Sequence, residues 1–377
     1  MVAVAWQIYL LTDSMVHLGL IGLTRLVPLV LFTLTGGVIA DTTDRRRMLL
    51  WTQTGQIVFM ALLGVTTALE MATPWVIYVL NTLAASASSL SNPARQALVP
   101  TLVPRHHLAQ AVSFNELTRH LAHVVGPSAA GVSLAWLGIE LTYALGAACL
   151  AIGLLTLVSV RVPRADTVRR WPGLGTMLAG FAFVRSETVV LSMLALDFLM
   201  SVLASARALF PVFARDIYAV GAEGLGLLYT ASAVGAVVAA FLLALMNRVP
   251  RPGVVVLLSV VAYGAGVALF GAVPNLFVGL VALAITGAGD SAAGALRGAI
   301  VQLSTPDHLR GRVTALNLVV LQGGPSLGQI EAGLMAALVG AQLTLVGGGL
   351  ACIACVAGVN ALVPRIRRLE PRGATSS

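Results

Sequence analysis

The chain contains no lysine: all 23 of its basic residues are arginine. A P-loop places a lysine on its phosphates, and a Schiff-base enzyme or retinal protein needs a lysine amine. A Walker-type nucleotide site and imine chemistry are therefore excluded. Charge of any kind is scarce. Only 10% of the 377 residues are charged, against about a quarter in a soluble domain. Hydrophobic residues make up 58%, more apolar surface than a water-soluble fold of this length could hide, so lipid is the solvent for much of it. Three cysteines make no disulfide framework. The net charge of +8 would suit nucleic acid, but the arginines gather in short loops between apolar runs.

A spanning helix needs about 20 mostly apolar residues. Such segments occur at 17–39, 48–69, 74–94, 109–133, 139–160, 187–211, 224–246, 253–273, 275–297, 312–337 and 340–362, which is eleven full spans. Residues 1–12 are apolar but too short to cross alone. They lack the basic start and small-residue cleavage site of a signal peptide, and are expected to be the second half of a helix whose start lies upstream of Met1. Loop charge gives the orientation, because arginine accumulates on the cytoplasmic side. Of the 23 arginines, 18 fall in alternate loops on one side, Arg215 alone falls on the other, and Arg25, Arg119, Arg207 and Arg297 fall in or beside spans. The arginine-rich side and the C-terminus are thus expected in the cytoplasm of a multi-pass cell-membrane protein.

The longest charged loop, 161–186, splits the chain six spans plus six, counting the first fragment. The expected organisation is an N-terminal transmembrane half at 1–160, a cytoplasmic linker at 161–186, a C-terminal half at 187–363 and a cytoplasmic tail at 364–377. The halves resemble each other. At an offset of 202, Arg95, Ala97, Val99, Pro104, His106 and Asn115 align with Arg297, Ala299, Val301, Pro306, His308 and Asn317, six identities in 21 positions. With a slipped offset, Gly126-Pro127 matches Gly324-Pro325. A parallel repeat about an axis along the membrane normal, in a chain of 12 spans, points to the all-α major facilitator architecture.

Motifs add to this. Gly36-Gly37-Val38-Ile39-Ala40-Asp41-Thr42-Thr43-Asp44-Arg45-Arg46-Arg47 resembles the facilitator-superfamily signature of glycine, three residues, aspartate and a basic cluster. Thr42 stands where the pattern has a basic residue and Asp44 where it has a glycine. Gly37 would allow close helix contact, and the resemblance implies that Asp41 braces the loop against the neighbouring helix in one transport state; Asp44, Arg45 and Arg46 complete the motif. A plain positive-inside loop is the blander reading. Gly126-Pro127-Ser128-Ala129-Ala130-Gly131, in which Gly126, Pro127 and Gly131 matter most, looks like the glycine–proline motif of exporters; a generic kink is the alternative. Ser91-Asn92-Pro93-Ala94-Arg95, the echo around Arg297, Leu196-Asp197-Phe198 and Ala206-Arg207-Ala208 together resemble the exporter branch that includes the enterobactin exporter and macrolide efflux proteins.

Ionisable residues inside a membrane are costly and mark function by default. Asp197 and Asp290 sit on the seventh and tenth spans, which line the cavity in the superfamily, and they are the expected proton-coupling acids, with Glu116 the next. Each acid could instead pair with an arginine of another helix as a structural tie. Arg25, Arg119, Arg207, Arg297 and Glu331 are expected as cavity or structural charges. Glu116, His120 and His123 share one helical face and could hold a metal, but a Glu116–Arg119 ion pair satisfies Glu116 more simply. Cys352 and Cys355 are expected as small buried residues. No metal, cofactor, nucleotide or nucleic acid is expected, and no catalytic residue. The expected function is secondary active export of a small siderophore-like or drug-like organic compound, by proton antiport with alternating access, in a monomer. Uptake of a polar solute, or a transport-inactive membrane protein, are the alternatives.

Overall fold

The computed structural model describes residues 1–42, 44–159, 174–246 and 249–368. Among these the chain is all helix. In order come α1 (Val2–Thr12), α2 (Met15–Thr42), α3 (Arg45–Ala68), α4 (Pro74–Leu102), α5 (Leu108–Ser159), α6 (Leu174–Ser186), α7 (Thr188–Leu203), α8 (Phe210–Val212), α9 (Gly221–Leu245), α10 (Pro252–Ala272), α11 (Leu276–Ser304), α12 (Asp307–Val339) and α13 (Ala341–Leu362). Among the described residues, eight helical stretches are long and apolar enough to cross a membrane. The long helices that fall short, α4 and α12, carry polar residues along their length: α4 holds Asn81, Ser86, Ser88, Ser89, Ser91 and Asn92.

Most apolar runs become single helices; three runs depart from this, and part of the expected linker is helical. The runs 109–133 and 139–160 are one continuous segment, α5, folded back at Gly138, whose φ of 79° an L side chain rarely adopts. The second part of the expected linker, from Leu174, is helical as α6. The run 187–211 is broken: α7 stops at Leu203, and a 3₁₀ turn follows at Ala206–Leu209.

The chain divides into two compact units, Met1–Asp13 with Ile21–Trp171, and Ser14–Leu20 with Pro172–Ser377. In the first, α3 packs on α4 and α5, and α1 packs on α5. A buried amide ties three helices. Gln7 Nε2 donates to Thr67 Oγ1 at 2.9 Å, and Tyr143 OH donates to Gln7 Oε1 at 2.8 Å. Asn81 Nδ2 donates to Thr24 Oγ1 at 2.5 Å, joining α4 to α2. In apolar surroundings such bonds fix helix pairing because an unpaired amide would be expensive.

In the second unit, α11 packs between α9 and α10, α10 also packs on α13, and α12 packs on α7. The contact of α9 with α11 depends on absent side chains. A Cβ on Gly287 would lie 1.9 Å from the Ser232 carbonyl oxygen, and one on Gly235 would lie 1.8 Å from that of Ala284. Lipid offers no hydrophobic drive for helices to associate, so close backbone approach of this kind supplies the van der Waals contact instead.

The repeat holds at the level of elements. α4 and α11 each have 29 residues, and start and stop 202 positions apart. Each begins at a capping side chain: Thr73 Oγ1 accepts from the Val76 N–H at 3.4 Å, and Asn275 Oδ1 accepts from the Val278 N–H at 3.2 Å. The same offset relates Gly138 to Gly340, whose φ is 90° and which separates α12 from α13. The register therefore needs no slip, and it sets Gly126 opposite Gly328.

Candidate functional site

The break after α7 positions the principal charges. Pro211 stands in the first turn of α8, where the N–H it lacks is not needed, so it marks where the chain restarts as a new helical turn rather than continuing α7. The helix ends at Leu203, and the carbonyl of buried Ala204, outside the helical ladder, is taken by two donors. Tyr263 OH from α10 donates to it at 2.8 Å, and the Ala206 N–H at 2.9 Å. Beyond α8 a π turn at Phe213–Ile217 finishes the segment among stacked rings, with Phe213 and Phe270 centroids 4.3 Å apart.

Asp197 stands on α7 before the break and Arg207 after it; Asp290 and Arg297 stand two turns apart on α11. Each acid pairs with the arginine of the other segment. Asp197 Oδ1 meets Arg297 Nη1, and Asp290 Oδ2 lies 3.7 Å from Arg207 Nη2. The two pairs differ in kind. Asp197 and Arg297 side chains are 5% and 9% exposed, whereas those of Asp290 and Arg207 are 45% and 55% exposed. The buried pair is a sealed, charge-assisted hydrogen bond, although Asp197 Oδ2 has no hydrogen-bond partner among the described residues. The exposed pair is loose, and Arg207 Nη2 also reaches Ser232 Oγ at 3.5 Å. Loose pairs in contact with water are worth about 0–1 kcal/mol, so either member can exchange its partner.

The signature loop has a partial structural account. Asp44 is the N-cap of α3: its Oδ1 accepts from the N–H groups of Arg46 at 2.9 Å and Arg47 at 3.4 Å. This explains the departure from glycine at that position, since an aspartate satisfies the first free donors of a helix. Arg46 Nη2 donates to the Val158 carbonyl at the end of α5 at 2.9 Å. Gly37 and Asp41 lie on the α2 backbone and Arg45 starts α3; their side chains fall outside the described residues, as do those of Glu116, Arg119, His120 and His123 on α5. Among the described residues no three metal-ligating side chains cluster.

Pro127 lies inside α5 and Gly131 is buried, whereas a Cβ on Gly126 would meet nothing described within 4 Å. Its register partner Gly328 does make a close approach, since a Cβ there would lie 2.0 Å from the Ser201 carbonyl of α7. Arg25 lies on α2, and Glu331 on α12 has one buried oxygen, Oε2, without a partner among the described residues. Cys352 is buried and Cys355 half-buried, both as free thiols. Sequence reasoning missed Tyr263 and Ser232. The signal for Tyr263 is a phenol in the middle of an apolar run, where its hydroxyl must find an acceptor.

Residues 1–375 match the family model described as transmembrane secretion effector. The chain belongs to that family of major facilitator proteins. It is 32% identical over 317 residues to the enterobactin exporter EntS of Escherichia coli O1:K1 (APEC), covering 84% of this chain and 76% of that protein. The EntS of Shigella boydii serotype 18 (strain CDC 3083-94 / BS512) matches to the same extent. Among solved structures, a mutant of the nucleoside transporter NupG superposes with a TM-score of 0.72 at 12% identity, covering 96% of this chain and 94% of that one. A bacterial homologue of the human lysosomal transporter Spinster, inward-facing and unoccupied, gives 0.71 at 15% identity, covering 97% and 93%. These two likenesses concern the fold. The protein is a multi-pass membrane protein and a secondary transporter, not an enzyme.

Proposed function

We propose that the protein exports a small siderophore-like or drug-like organic compound across the cell membrane, in exchange for protons, as a monomer with its C-terminus in the cytoplasm. The observation that carries this reading is the pair of crossed ion pairs on α7 and α11, one sealed and one open. An acid that exchanges protons must be reachable by water and have a partner it can leave. Asp290 meets both conditions. A proton on its carboxylate releases Arg207, and a basic or hydroxyl-bearing group of the substrate competes for the same oxygens. Proton and substrate then exclude each other, as antiport requires. Asp197, held by Arg297, becomes the second coupling acid when α7 and α11 loosen, and Glu116 is the next candidate in the other unit. Asp41 and the arginines beside it act on the loop that follows α2.

Export as the direction draws support from the relationship to EntS. The test uses the purified chain in proteoliposomes loaded with labelled enterobactin, with and without a pH gradient. Gradient-driven movement of enterobactin by the parent, lost in Asp290→Asn while exchange between equal pools persists, supports the reading. Normal gradient-driven movement in both Asp290→Asn and Asp197→Asn removes these acids from coupling.

A further inference from the structure

After α13 the chain does not leave the helical body. A 3₁₀ turn, Pro364–Arg368, folds back onto the start of α10. Ile366 is fully buried and Val363 nearly so. The fit is backbone against backbone: a Cβ on Gly253 would lie 2.0 Å from the Ile366 carbonyl oxygen. This clasp sets the two segments that carry Arg251, Arg365 and Arg367 against each other. Arg365 and Arg367 flank Ile366, and Arg251 lies two residues before Gly253. All three are exposed, and none has a carboxylate partner among the described residues. Arg367 is steadied by Nε donating to Asn360 Oδ1, and among the described residues its two terminal nitrogens have no hydrogen-bond partner. The first turn of α10 adds the positive end of its dipole.

The surroundings say what kind of anion suits this cluster. It lies at the first turn of α10 and just past the last turn of α13, two helices long and apolar enough to cross a membrane, and exposed leucines stand on those helices close in sequence to the arginines: Leu362 is 83% exposed and Leu258 is 62% exposed. A soluble phosphate would use only the arginines. A phospholipid would use both parts, its phosphate on the guanidinium groups and its acyl chains along the leucines. We propose that Arg251, Arg365 and Arg367, fixed by the Ile366 clasp, form a binding site for the headgroup of an anionic phospholipid. Arginine presents paired N–H donors to phosphate oxygens, and each such residue at a membrane surface strengthens binding roughly fivefold.

The test is native mass spectrometry of the purified full chain in detergent, titrated with dioleoyl phosphatidylglycerol or dioleoyl phosphatidylcholine. The parent should retain phosphatidylglycerol selectively. The triple variant Arg251→Gln, Arg365→Gln, Arg367→Gln should lose affinity for it on the order of a hundredfold, while Arg95→Gln, an exposed arginine elsewhere, should not. Ile366→Ser keeps all three charges but frees the clasp, and should lose the selectivity too. Equal retention of the two lipids by the parent, or undiminished retention by either the triple variant or Ile366→Ser, would overturn the assignment. Displacement of phosphatidylglycerol by millimolar glycerol phosphate would overturn it as well, because the ligand would then be a soluble phosphate.

Discussion

Two aspartates of the same type, on neighbouring helices, have opposite fates on replacement. Asp197 is sealed with Arg297. Removing one member of a buried pair strands the other, at a cost of about 3–5 kcal/mol. Asp197→Asn should therefore lose folded protein, seen as a lower melting temperature in detergent, and Asp197→Asn with Arg297→Gln should recover much of it. Asp290 is half-exposed, so Asp290→Asn should melt within about 1 kcal/mol of the parent while losing response to a pH gradient. At the loop, Asp44→Ala removes the α3 cap and should cost about 1 kcal/mol, measurable as a shift in denaturant midpoint. Tyr218, just beyond the seventh span, has its phenol pushed up to about 12 by burial. The folded value lies above the ordinary value near 10, so the contribution is present below pH 10 and is lost as pH rises through 12. Tyr218→Phe should flatten that part of the alkaline melting profile. The chain order showed these charges and their distances along each helix. It offered pairing with an arginine of another helix as an alternative but did not say which arginine each acid takes, because that depends on α7 and α11 running side by side.

At the scale of elements, the apolar runs mark most helices well because a spanning segment must be long and must satisfy its own backbone. What composition hides is a change of direction or a break inside an apolar stretch. The fold-back at Gly138 falls at the edge of the expected gap, since glycine there interrupts an apolar run. The break at Ala204 is invisible by hydropathy, because apolar residues continue through it; Pro211 is its sequence trace. Helix α6 escapes for the opposite reason: Arg161, Arg164, Arg169 and Arg170 ahead of it give the whole stretch the composition of a charged loop. The α9–α11 contact gives a sharp test. Gly287→Val would set a side chain against the Ser232 carbonyl, and overpacking of this sort costs about 1–3 kcal/mol or more. The expected result is a lower melting temperature with little change for Gly347→Val, whose Cβ would meet nothing within 4 Å among the described residues.

For the whole molecule, the repeat of 202 residues runs deeper than its six identities. It governs helix length, the capping residue and the turn glycine, which are features of backbone geometry that tolerate many side chains. The proposed orientation, with the C-terminus in the cytoplasm, rests on the arginine loops and is tested by fusion: a C-terminal fluorescent protein should be bright and a C-terminal alkaline phosphatase inactive, and the reverse result would invert the topology.

The single-residue turns at Gly138 and Gly340 also limit what can be built into this chain. Where one glycine reverses the path between two spanning helices, there is no loop to accept cargo. An epitope or protease site inserted after Leu137 or Val339 would have to unwind both neighbouring helices to fit. The link between α9 and α10, by contrast, already lies between two separate helix ends and is the better place to splice a reporter.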